Sequence, residues 1–278
     1  MAGRLALMTL LLCACGEEDP APRQPTLPDA GTGAEASWRL VWSDEFEGAA
    51  GTPPDPARWV HDVGGDGWGN DQLEFDTDRV ENAAHDGQGN LVITAREEAF
   101  GGRAYTSARI KTQGLFAQRH GRFEARIRLP AGRGLWPAFW MLGDDIETVG
   151  WPRCGEIDVM EFRGQRPDES TGAVHGPGYE GGQALGGVST AVADLSLDFH
   201  VFSVEWDARG IVWAVDDVVF HRVFPASLPP GAPWVFDHPF FLILNLAVGG
   251  SYVGPPDATT VFPQALRVDY VRVYERVE

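Results

Sequence analysis

Cysteine and basic side chains are scarce in this 278-residue chain, and each scarcity excludes a class of protein. Only three cysteines are present, Cys13, Cys15 and Cys154. No intramolecular disulfide is expected, and Cys154 is interpreted as a small buried packing residue. Lys and Arg number 22 against 40 Asp and Glu, which gives a net charge of -18. This balance argues against nucleic acid or an anionic membrane surface as a partner and favours a neutral or cationic substrate.

The apolar run at the N-terminus, from Leu5 to Leu12, is too short to cross a bilayer. With Arg4 before it and small residues after it, residues 1–15 are interpreted as an export signal. The Leu-Cys-Ala-Cys sequence ending at Cys15 resembles a bacterial lipobox, which predicts an envelope lipoprotein lipidated at Cys15; secretion without a lipid anchor is the alternative. Residues 16–36, rich in Pro, Gly and acidic side chains, are predicted to form a disordered linker.

Sustained helical periodicity is also missing, and residues 37–278 are predicted to form one β domain. The chain's 34 Gly and 20 Pro imply many turns. Asp216-Asp217, between two apolar runs, predicts a tight hairpin. The predicted fold class is all-β, an antiparallel sandwich or β-jelly roll whose curved face can form a groove. The strand candidates are Trp38–Phe46, Leu91–Ala95, Phe123–Leu129, Val201–Trp206, Ile211–Asp216, Val218–Phe224, Phe240–Val248 and Leu266–Tyr274.

Three carboxylates lie close together in the strand-like sequence Gly-Glu-Ile-Asp-Val-Met-Glu-Phe-Arg-Gly. Because strand side chains alternate between faces, Glu156 and Asp158 share one face, whereas a strict period of two sends Glu161 to the other. One extra residue, a β-bulge near Val159 or Met160, returns Glu161 to the face of the first two acids. All three carboxylates are then expected to point into one cleft.

Crowded carboxylates are costly to bury, but glycoside hydrolysis has a use for them. One carboxylate attacks the anomeric carbon, and a second, kept protonated, gives its proton to the leaving oxygen. In retaining enzymes of this kind the two groups lie about 5–5.5 Å apart. Three carboxylates also suit a Ca²⁺ site, and a solvated strand face is the third alternative. The spacing alone leaves these three possibilities open.

The chain is rich in tryptophan, and several of its ten indoles lie near the acids in sequence. Indole rings stack on the apolar faces of sugar rings, so a groove lined by them beside carboxylates suits a polysaccharide. By position, Trp68, Trp136 and Trp151 are predicted to line the groove. Trp140 and Trp206 are interpreted mainly as core residues.

Three polar residues are further candidates for the cleft. Asn70 belongs to the Gly-rich segment at residues 64–75, which is interpreted as a loop that shapes a binding surface. Arg109 could hydrogen-bond sugar hydroxyls or pair with one of the acids. His175 lies among glycines after the acidic strand and is interpreted as structural or solvated, because its spacing offers no metal partner.

Taken together, these motifs resemble glycoside hydrolase family 16, and in particular its bacterial endo-β-1,3-glucanases (laminarinases). The resemblance covers nearly everything from Trp38 to Tyr274. It implies a β-jelly roll with a concave cleft and hydrolysis with retention of anomeric configuration. Besides the acidic stretch, it rests on Trp42-Ser-Asp-Glu-Phe46, Gly67-Trp-Gly-Asn70, Ser107-Ala-Arg-Ile-Lys111, Gly134-Leu-Trp-Pro-Ala-Phe-Trp-Met-Leu142, Phe241-Leu-Ile-Leu-Asn-Leu-Ala-Val-Gly-Gly250 and Val268-Asp-Tyr-Val-Arg-Val-Tyr274.

The resemblance also implies roles for individual residues. Glu156 corresponds to the nucleophile, Glu161 to the general acid/base, and Asp158 to the intervening group that tunes the nucleophile. Asp71 and Gln72 differ from the residues usual in the family, so pure β-1,3 and mixed β-1,3/1,4 linkages both stay open as substrates. Positions that line the cleft in similar enzymes are occupied by Asn70, Arg109, Trp136, Trp140, Trp151 and His175.

No cofactor is required for the implied chemistry, although relatives often hold one structural Ca²⁺, whose corresponding residues here are Glu47, Gly89 and Asp269. The expected partner is a β-glucan polysaccharide, bound by a monomer that meets a membrane only through a lipid anchor. The alternatives are an agar-type galactan or mixed-linkage glucan as substrate, transglycosylation, or a non-catalytic glucan-binding module. The presence of both Glu156 and Glu161 favours an enzyme, because binding-only relatives tend to lose these acids.

Overall fold

A computed structural model of the protein describes residues 37–190 and 192–277. The predicted export signal at residues 1–15, with Cys15, and the predicted linker at 16–36 lie outside the described residues. Within the described ranges, no helix is both long and apolar enough to span a membrane.

The described residues contain seventeen strands and very little helix. One short α-helix, α1, covers Ile146–Val149, and two 3-10 turns cover Gly181–Gln183 and Pro225–Ser227. The strands are β1 (Ser37–Asp44), β2 (Val60–Asp62), β3 (Glu74–Asp76), β4 (Ala83–His85), β5 (Leu91–Phe100), β6 (Arg103–Ser107), β7 (Arg109–Lys111), β8 (Gly121–Arg128), β9 (Leu135–Gly143), β10 (Glu156–Phe162), β11 (Ser170–His175), β12 (Leu185–Ser189), β13 (His200–Asp207), β14 (Gly210–Val215), β15 (Val218–Val223), β16 (Phe240–Val248) and β17 (Gln264–Val277).

These strands form two sheets that pack as a β-jelly roll, as the sequence predicts. The larger sheet has the order β15-β14-β13-β8-β17-β5-β6-β3, with β1 also pairing with β17 and β4 with β5. The smaller sheet has the order β12-β11-β10-β9-β16-β7-β2. Neighbouring strands pair antiparallel except for β3 and β6, which run parallel. The acidic strand β10 lies between β9 and β11 in the smaller sheet, so backbone hydrogen bonds hold it on both sides.

The hydrophobic core fills the space between the two sheets. From the larger sheet, Phe123, Ala125 and Ile127 point inward, which confirms the alternation predicted for this strand. From the smaller sheet, the even-numbered residues of β16, from Phe240 to Val248, meet them. Each large apolar side chain buried in this way contributes about 1.5–3 kcal/mol.

The opposite face of the smaller sheet is where the candidate site lies, and parts of it are apolar too. Phe241 and Ile243 pack there with Leu142 and Cys154. Cys154 is fully buried, as predicted, and burial raises the pKa of its thiol to about 11. A thiol with so high a pKa stays protonated and is not a nucleophile.

The hairpin predicted at Asp216-Asp217 is present between β14 and β15. Both residues have positive φ, 48° and 62°, and Val215 pairs with Val218 across the turn. Two residues in the left-handed region define a type I′ turn, whose twist matches that of the flanking strands. Asp216 is fixed there because its carboxylate accepts the Val201 N–H at 2.8 Å.

Candidate active site

The acidic strand carries the bulge that the spacing of its carboxylates requires. Against β9, Asp158 pairs with Trp140 and Met160 with Phe139, so Val159 is the extra residue. Val159 and Met160 consequently both enter the core, and Glu161 returns to the face of Asp158. The prediction of a bulge at this point is confirmed.

Each glutamate of the strand accepts a hydrogen bond from an indole. Trp151 Nε1 donates to Glu156 Oε2 at 2.5 Å, and Trp136 Nε1 donates to Glu161 Oε1 at 3.0 Å. Trp151 is about half exposed, at 47%, whereas Trp136 is nearly buried. These contacts hold the two carboxyl groups in fixed orientations on one face of the sheet.

Asp158 lies between the two glutamates and is almost fully buried. Its Oδ2 is 3.0 Å from His175 Nε2, and His175 pairs with Glu156 in the register of β10 and β11. From the larger sheet, Trp213 Nε1 donates to the main-chain oxygen of Asp158 at 2.8 Å. This hydrogen bond ties the middle of the acidic strand to the opposite sheet.

Burial and mutual repulsion make these acids hard to ionise. Burial, together with the nearby negative charge of Asp158, raises the pKa of Glu156 and of Glu161 to about 8. Burial also raises the pKa of Asp158 to about 7. The imidazole of His175 and the two indole N–H groups act in the opposite direction on the glutamates. Because they interact, the three groups titrate as a set.

A stack of one cation between two indoles forms a second part of the site. The Arg109 guanidinium lies 4.8 Å from the Trp68 ring centroid and 4.7 Å from that of Trp140. Arg109 Nε is 3.0 Å from Asp62 Oδ2. Trp140 Nε1 donates to Asn245 Oδ1 at 2.8 Å, which anchors the stack on β16. We call Trp68, Arg109 and Trp140 the aromatic stack.

The stack corrects two expectations drawn from the sequence. Arg109 pairs with Asp62 on the neighbouring strand β2 and not with an acid of β10. Trp140 is partly exposed on the outer face of the sheet, so its interpretation as a core residue was wrong. Trp206, in contrast, is buried in the core as predicted.

Asn70 is exposed on the Gly-rich loop, and its backbone takes part in holding that loop in place. Its carbonyl oxygen accepts the Ser251 N–H at 2.8 Å, and Gln72 forms a β-bridge with Gly249. These contacts join the Gly-rich loop to the segment that follows β16. The loop is therefore held beside the aromatic stack and the acidic strand.

Several residues of this region escaped the sequence-based prediction. The Tyr252 hydroxyl lies 3.0 Å from Thr171 Oγ1, and the Tyr252 ring packs 5.1 Å from that of Trp136. Glu74 and Asp76 are buried carboxylates behind the loop. For Glu74 and Asp76, the only sequence signal is the alternation of acidic and apolar residues in Leu-Glu-Phe-Asp. For Tyr252, no local sequence pattern indicates a place in the site.

Two places in the described part of the chain bear on metal binding. Asp269, one of the three residues predicted for Ca²⁺ with Glu47 and Gly89, accepts a hydrogen bond at 2.6 Å from Arg126. This guanidinium neutralises the carboxylate, and the Ca²⁺ site stays a prediction. Among the described residues, the side chains grouped closely enough to hold a metal are those of Glu156, Asp158 and His175, the acids of the site with their histidine.

Comparisons with known proteins agree with this arrangement. The chain matches the glycosyl hydrolases family 16 profile over residues 70–270. It is 49% identical over 256 residues to a β-glucanase of Rhodothermus marinus, covering 87% of this chain and 86% of that protein. The structure of an endo-β-1,3-glucanase from Pyrococcus furiosus aligns with a TM-score of 0.83 at 46% identity, over 87% of this chain and 96% of that one. That of the laminarinase from Rhodothermus marinus aligns with a TM-score of 0.82 at 47% identity, over 87% and 99%.

A β-jelly roll that gathers carboxylates and indoles on one face of a sheet has the layout of a glycoside hydrolase. The chain belongs to glycosyl hydrolase family 16. The resemblance inferred from its motifs is confirmed.

Proposed function

We propose that the protein is a retaining, endo-acting hydrolase that cleaves internal β-1,3-glucosidic bonds of β-glucans such as laminarin. The observation that carries the proposal is the bulge in β10, which brings Glu156 and Glu161 to one face, each with its own indole donor. The choice of β-1,3-glucan is supported by the relatives named for that linkage and for laminarin.

In the proposed reaction Glu161 is the general acid and Glu156 the nucleophile. With its pKa raised to about 8, Glu161 holds its proton at neutral pH and can give it to the glycosidic oxygen as the bond to the anomeric carbon breaks. Glu156 attacks that carbon and forms a covalent glycosyl-enzyme. Glu161, now ionised, takes a proton from water, which attacks the same carbon and releases the sugar with its configuration retained.

Glu156 must be ionised when it attacks, although burial favours its protonated form. The carboxyls of Glu156 and Asp158 interact directly, so a proton can move to Asp158 and leave Glu156 charged. The short hydrogen bond from Trp151 stabilises that charge. Asp158 therefore acts as the local proton store that makes an ionised nucleophile compatible with a protonated Glu161.

The aromatic surfaces near the acids would hold the polysaccharide. Trp151 offers an exposed ring beside Glu156, and the aromatic stack offers a second surface on the same sheet face. Indole rings pack against the C–H faces of pyranose rings, and Arg109 has guanidinium N–H groups to donate to hydroxyls. An open surface that binds several sugar units suits an enzyme that cleaves bonds in the interior of a polysaccharide.

The decisive experiment follows the anomeric protons by NMR while the protein cuts laminarin. We expect internal cleavage, with the β-anomer formed first and the α-anomer appearing only by mutarotation.

Glu156→Gln should lower kcat by at least about 10⁴-fold. Glu161→Ala should lower it roughly 10²–10⁴-fold. With an aryl β-glucoside, whose leaving group needs no proton, azide should restore turnover of this variant and give a β-glycosyl azide. First formation of the α-anomer, or cleavage of agarose but not laminarin, would refute the proposal.

We also propose that the protein is exported and is anchored through lipid at Cys15. The support is the N-terminal sequence alone, with its short apolar run and Leu-Cys-Ala-Cys ending. Mass spectrometry of the mature protein is the test. An acylated N-terminal Cys15 is expected, and a mature chain that begins elsewhere without a lipid would contradict the anchor.

A further inference from the structure

Two carboxylates that take no part in the proposed reaction are buried behind the aromatic stack. Glu74 is 0% exposed and Asp76 is 2% exposed. Both belong to the short strand β3, and because they are two residues apart their side chains lie on the same face. Glu74 Oε2 accepts the Val248 N–H at 2.8 Å. Glu74 Oε1 and Asp76 Oδ1 are buried and have no hydrogen-bond partner.

Such an arrangement is unfavourable if both groups are ionised. A buried acceptor without a hydrogen-bond partner destabilises the fold, and neighbouring like charges add to this destabilisation. A single proton held between the two carboxyls relieves both problems, because it removes one charge and supplies one hydrogen bond. In agreement, burial raises the pKa of Glu74 to about 7, and burial with the charge of Glu74 raises the pKa of Asp76 well above its ordinary value.

The charged groups that face the pair do not neutralise it. Arg103 on β6 favours the ionised form of Glu74, and Arg109 on β7 favours that of Asp76, but neither forms a hydrogen bond with the pair. Arg109 is directed to Asp62 on β2, whose negative charge disfavours ionisation of Asp76. The pair is thus left with an excess of negative charge unless it holds a proton.

Both members of the pair are connected to the aromatic stack. The buried Trp68 indole N–H is close enough to Asp76 to lower the pKa of its carboxyl, although the two lack a hydrogen bond of good geometry. Glu74 is bonded to the backbone of β16 at Val248, on the same strand that carries Asn245, the acceptor of the Trp140 N–H. The Gly-rich loop and β16 meet at this point, since the Leu73 N–H donates to the Val248 carbonyl at 2.8 Å.

We propose that Glu74 and Asp76 are positioning residues that share one proton and thereby hold the aromatic stack in the geometry that binds glucan. The inference rests on the proposed function, because it concerns how the same cleft binds its sugar. When the shared proton is lost, two buried negative charges on one strand face repel each other. The strain is relieved by movement of β3 and the Gly-rich loop, which shifts Trp68 away from Arg109 and weakens binding.

The first test follows the Trp68 indole N–H by ¹⁵N–¹H NMR between pH 6 and 8.5 and needs no substrate. The signal is assigned by its loss in Trp68→Phe. The acids of β10 titrate in the same range, but they contact the indoles of Trp151 and Trp136, which report on them separately. We expect the Trp68 signal to shift with a single transition in the wild type. In Glu74→Gln this shift should vanish, because the amide can donate to Asp76 at every pH.

Asp76→Asn is a second variant with the same charge change, in case Glu74→Gln folds poorly. The matched control is Glu97→Gln, because Glu97 pairs with the same residue of β6, Tyr105, from the other side but is exposed. The control should titrate like the wild type. The inference would be overturned if the Trp68 signal does not change with pH in the wild type. It would also be overturned if the signal still shifts with pH in both pair variants as it does in the wild type.

The second test measures binding of a β-1,3-gluco-oligosaccharide by calorimetry in a Glu156→Gln background, which cannot turn it over. If only the protonated pair is competent, the Kd should rise about tenfold between pH 6 and pH 8. With Glu74→Gln added, the Kd should stay within about twofold over the same range. A Kd that is independent of pH in the parent would refute the inference even if laminarin is cleaved. Absence of binding at all pH values would instead remove the proposed substrate, and the Trp68 titration would then decide whether the pair shares a proton.

Discussion

At the scale of single residues, the acids of β10 are controlled by groups that donate to them from neighbouring elements. Glu156 and Glu161 are chemically identical side chains in similar burial, and both have a raised pKa. Their hydrogen-bond donors are what distinguish them. The Trp151 indole lies on the exposed side of the cleft, and the Trp136 indole lies in a packed cluster with Tyr252.

We predict that Trp136→Phe moves the alkaline limb of the pH profile of kcat/KM to higher pH. The Trp136 N–H lowers the pKa of Glu161 by stabilising its ionised form, so removing this donor lets the general acid keep its proton longer. A hydrogen bond to a charged group contributes about 1.5 kcal/mol, which corresponds to a shift of roughly one pH unit. The control is Trp140→Phe, whose lost hydrogen bond goes to the neutral Asn245. An equal shift in the control, or a shift to lower pH, would contradict this role.

The sequence predicts the three acids well because their positions depend on local geometry. A period of two with one bulge is enough to place Glu156, Asp158 and Glu161 on one face. The partner of Arg109 is different, because Asp62 reaches it only after β2 pairs with β7. That pairing is tertiary, and no local pattern encodes it. The same holds for Trp140, whose apolar neighbours suggest a core position until the sheet face it occupies is known.

At the scale of elements, the turn between β14 and β15 stores strain that can be removed. Asp217 has a φ of 62° and a side chain that is 81% exposed. We predict that Asp217→Gly stabilises the protein by about 0.5 kcal/mol, because glycine adopts this conformation without a steric penalty. Urea unfolding at neutral pH measures the change. The lost ion pair with Arg122 is exposed on the Asp217 side and subtracts little.

The neighbouring residue provides the comparison for this prediction. Asp216 also has a positive φ, but its carboxylate accepts the Val201 N–H and lies 2.7 Å from His200 Nδ1. Asp216→Gly should therefore destabilise the protein by about 1 kcal/mol. If both glycine variants change the free energy of unfolding in the same direction, the prediction is wrong, because relief of backbone strain and loss of the Asp216 hydrogen bonds should act with opposite signs.

The strands that the sequence analysis missed each have a physical reason for lacking a clear pattern. β9 is buried on nearly every position, so it lacks the alternation that identifies a half-buried strand. β11 and β12 contain glycines where side chains of the other sheet approach closely; a Cβ at Gly172 would lie 2.3 Å from the Trp213 ring. Strands of three residues, such as β2 and β3, are too short to show a period. The half-buried strand β8 was predicted within two residues at each end. β16 is buried at every position, but its nearly continuous run of apolar residues identified it, and its predicted bounds are those of the structure.

At the scale of the whole molecule, the buried carboxylates give the stability of the fold a dependence on pH. Glu156 and Glu161 have an ordinary pKa of 4.5 and about 8 in the fold. Between these values the folded protein holds protons that the unfolded chain has lost. Protonation therefore stabilises the fold fully below about pH 4.5, and this contribution is lost as the pH rises to about 8. The shifts of Glu74 and Asp158 act in the same direction.

We predict that Glu156→Gln is more stable than the wild type at pH 8, by an amount on the order of 2 kcal/mol, and that the difference shrinks toward pH 5. The amide removes a buried group that must ionise at high pH. Urea unfolding at pH 5, 6.5 and 8 gives the free energies, and exposed Glu97→Gln is the control that should show little change. A variant that is less stable than the wild type at pH 8 would mean that the Glu156 carboxylate is better solvated than its surroundings indicate.

The connection of the site to the rest of the molecule also bears on how its sugar preference can change. The three acids lie on a strand hydrogen-bonded on both sides, whereas Trp68 and Trp151 belong to surface segments outside the strands. Segments 64–73 and 150–155 can therefore be exchanged with those of other sequences without altering the spacing of the acids. A library confined to these two segments that keeps Trp151, the hydrogen-bond donor to Glu156, would sample new polysaccharide specificities on unchanged chemistry. The residues next to Glu74 and Glu156 must also keep their strand register.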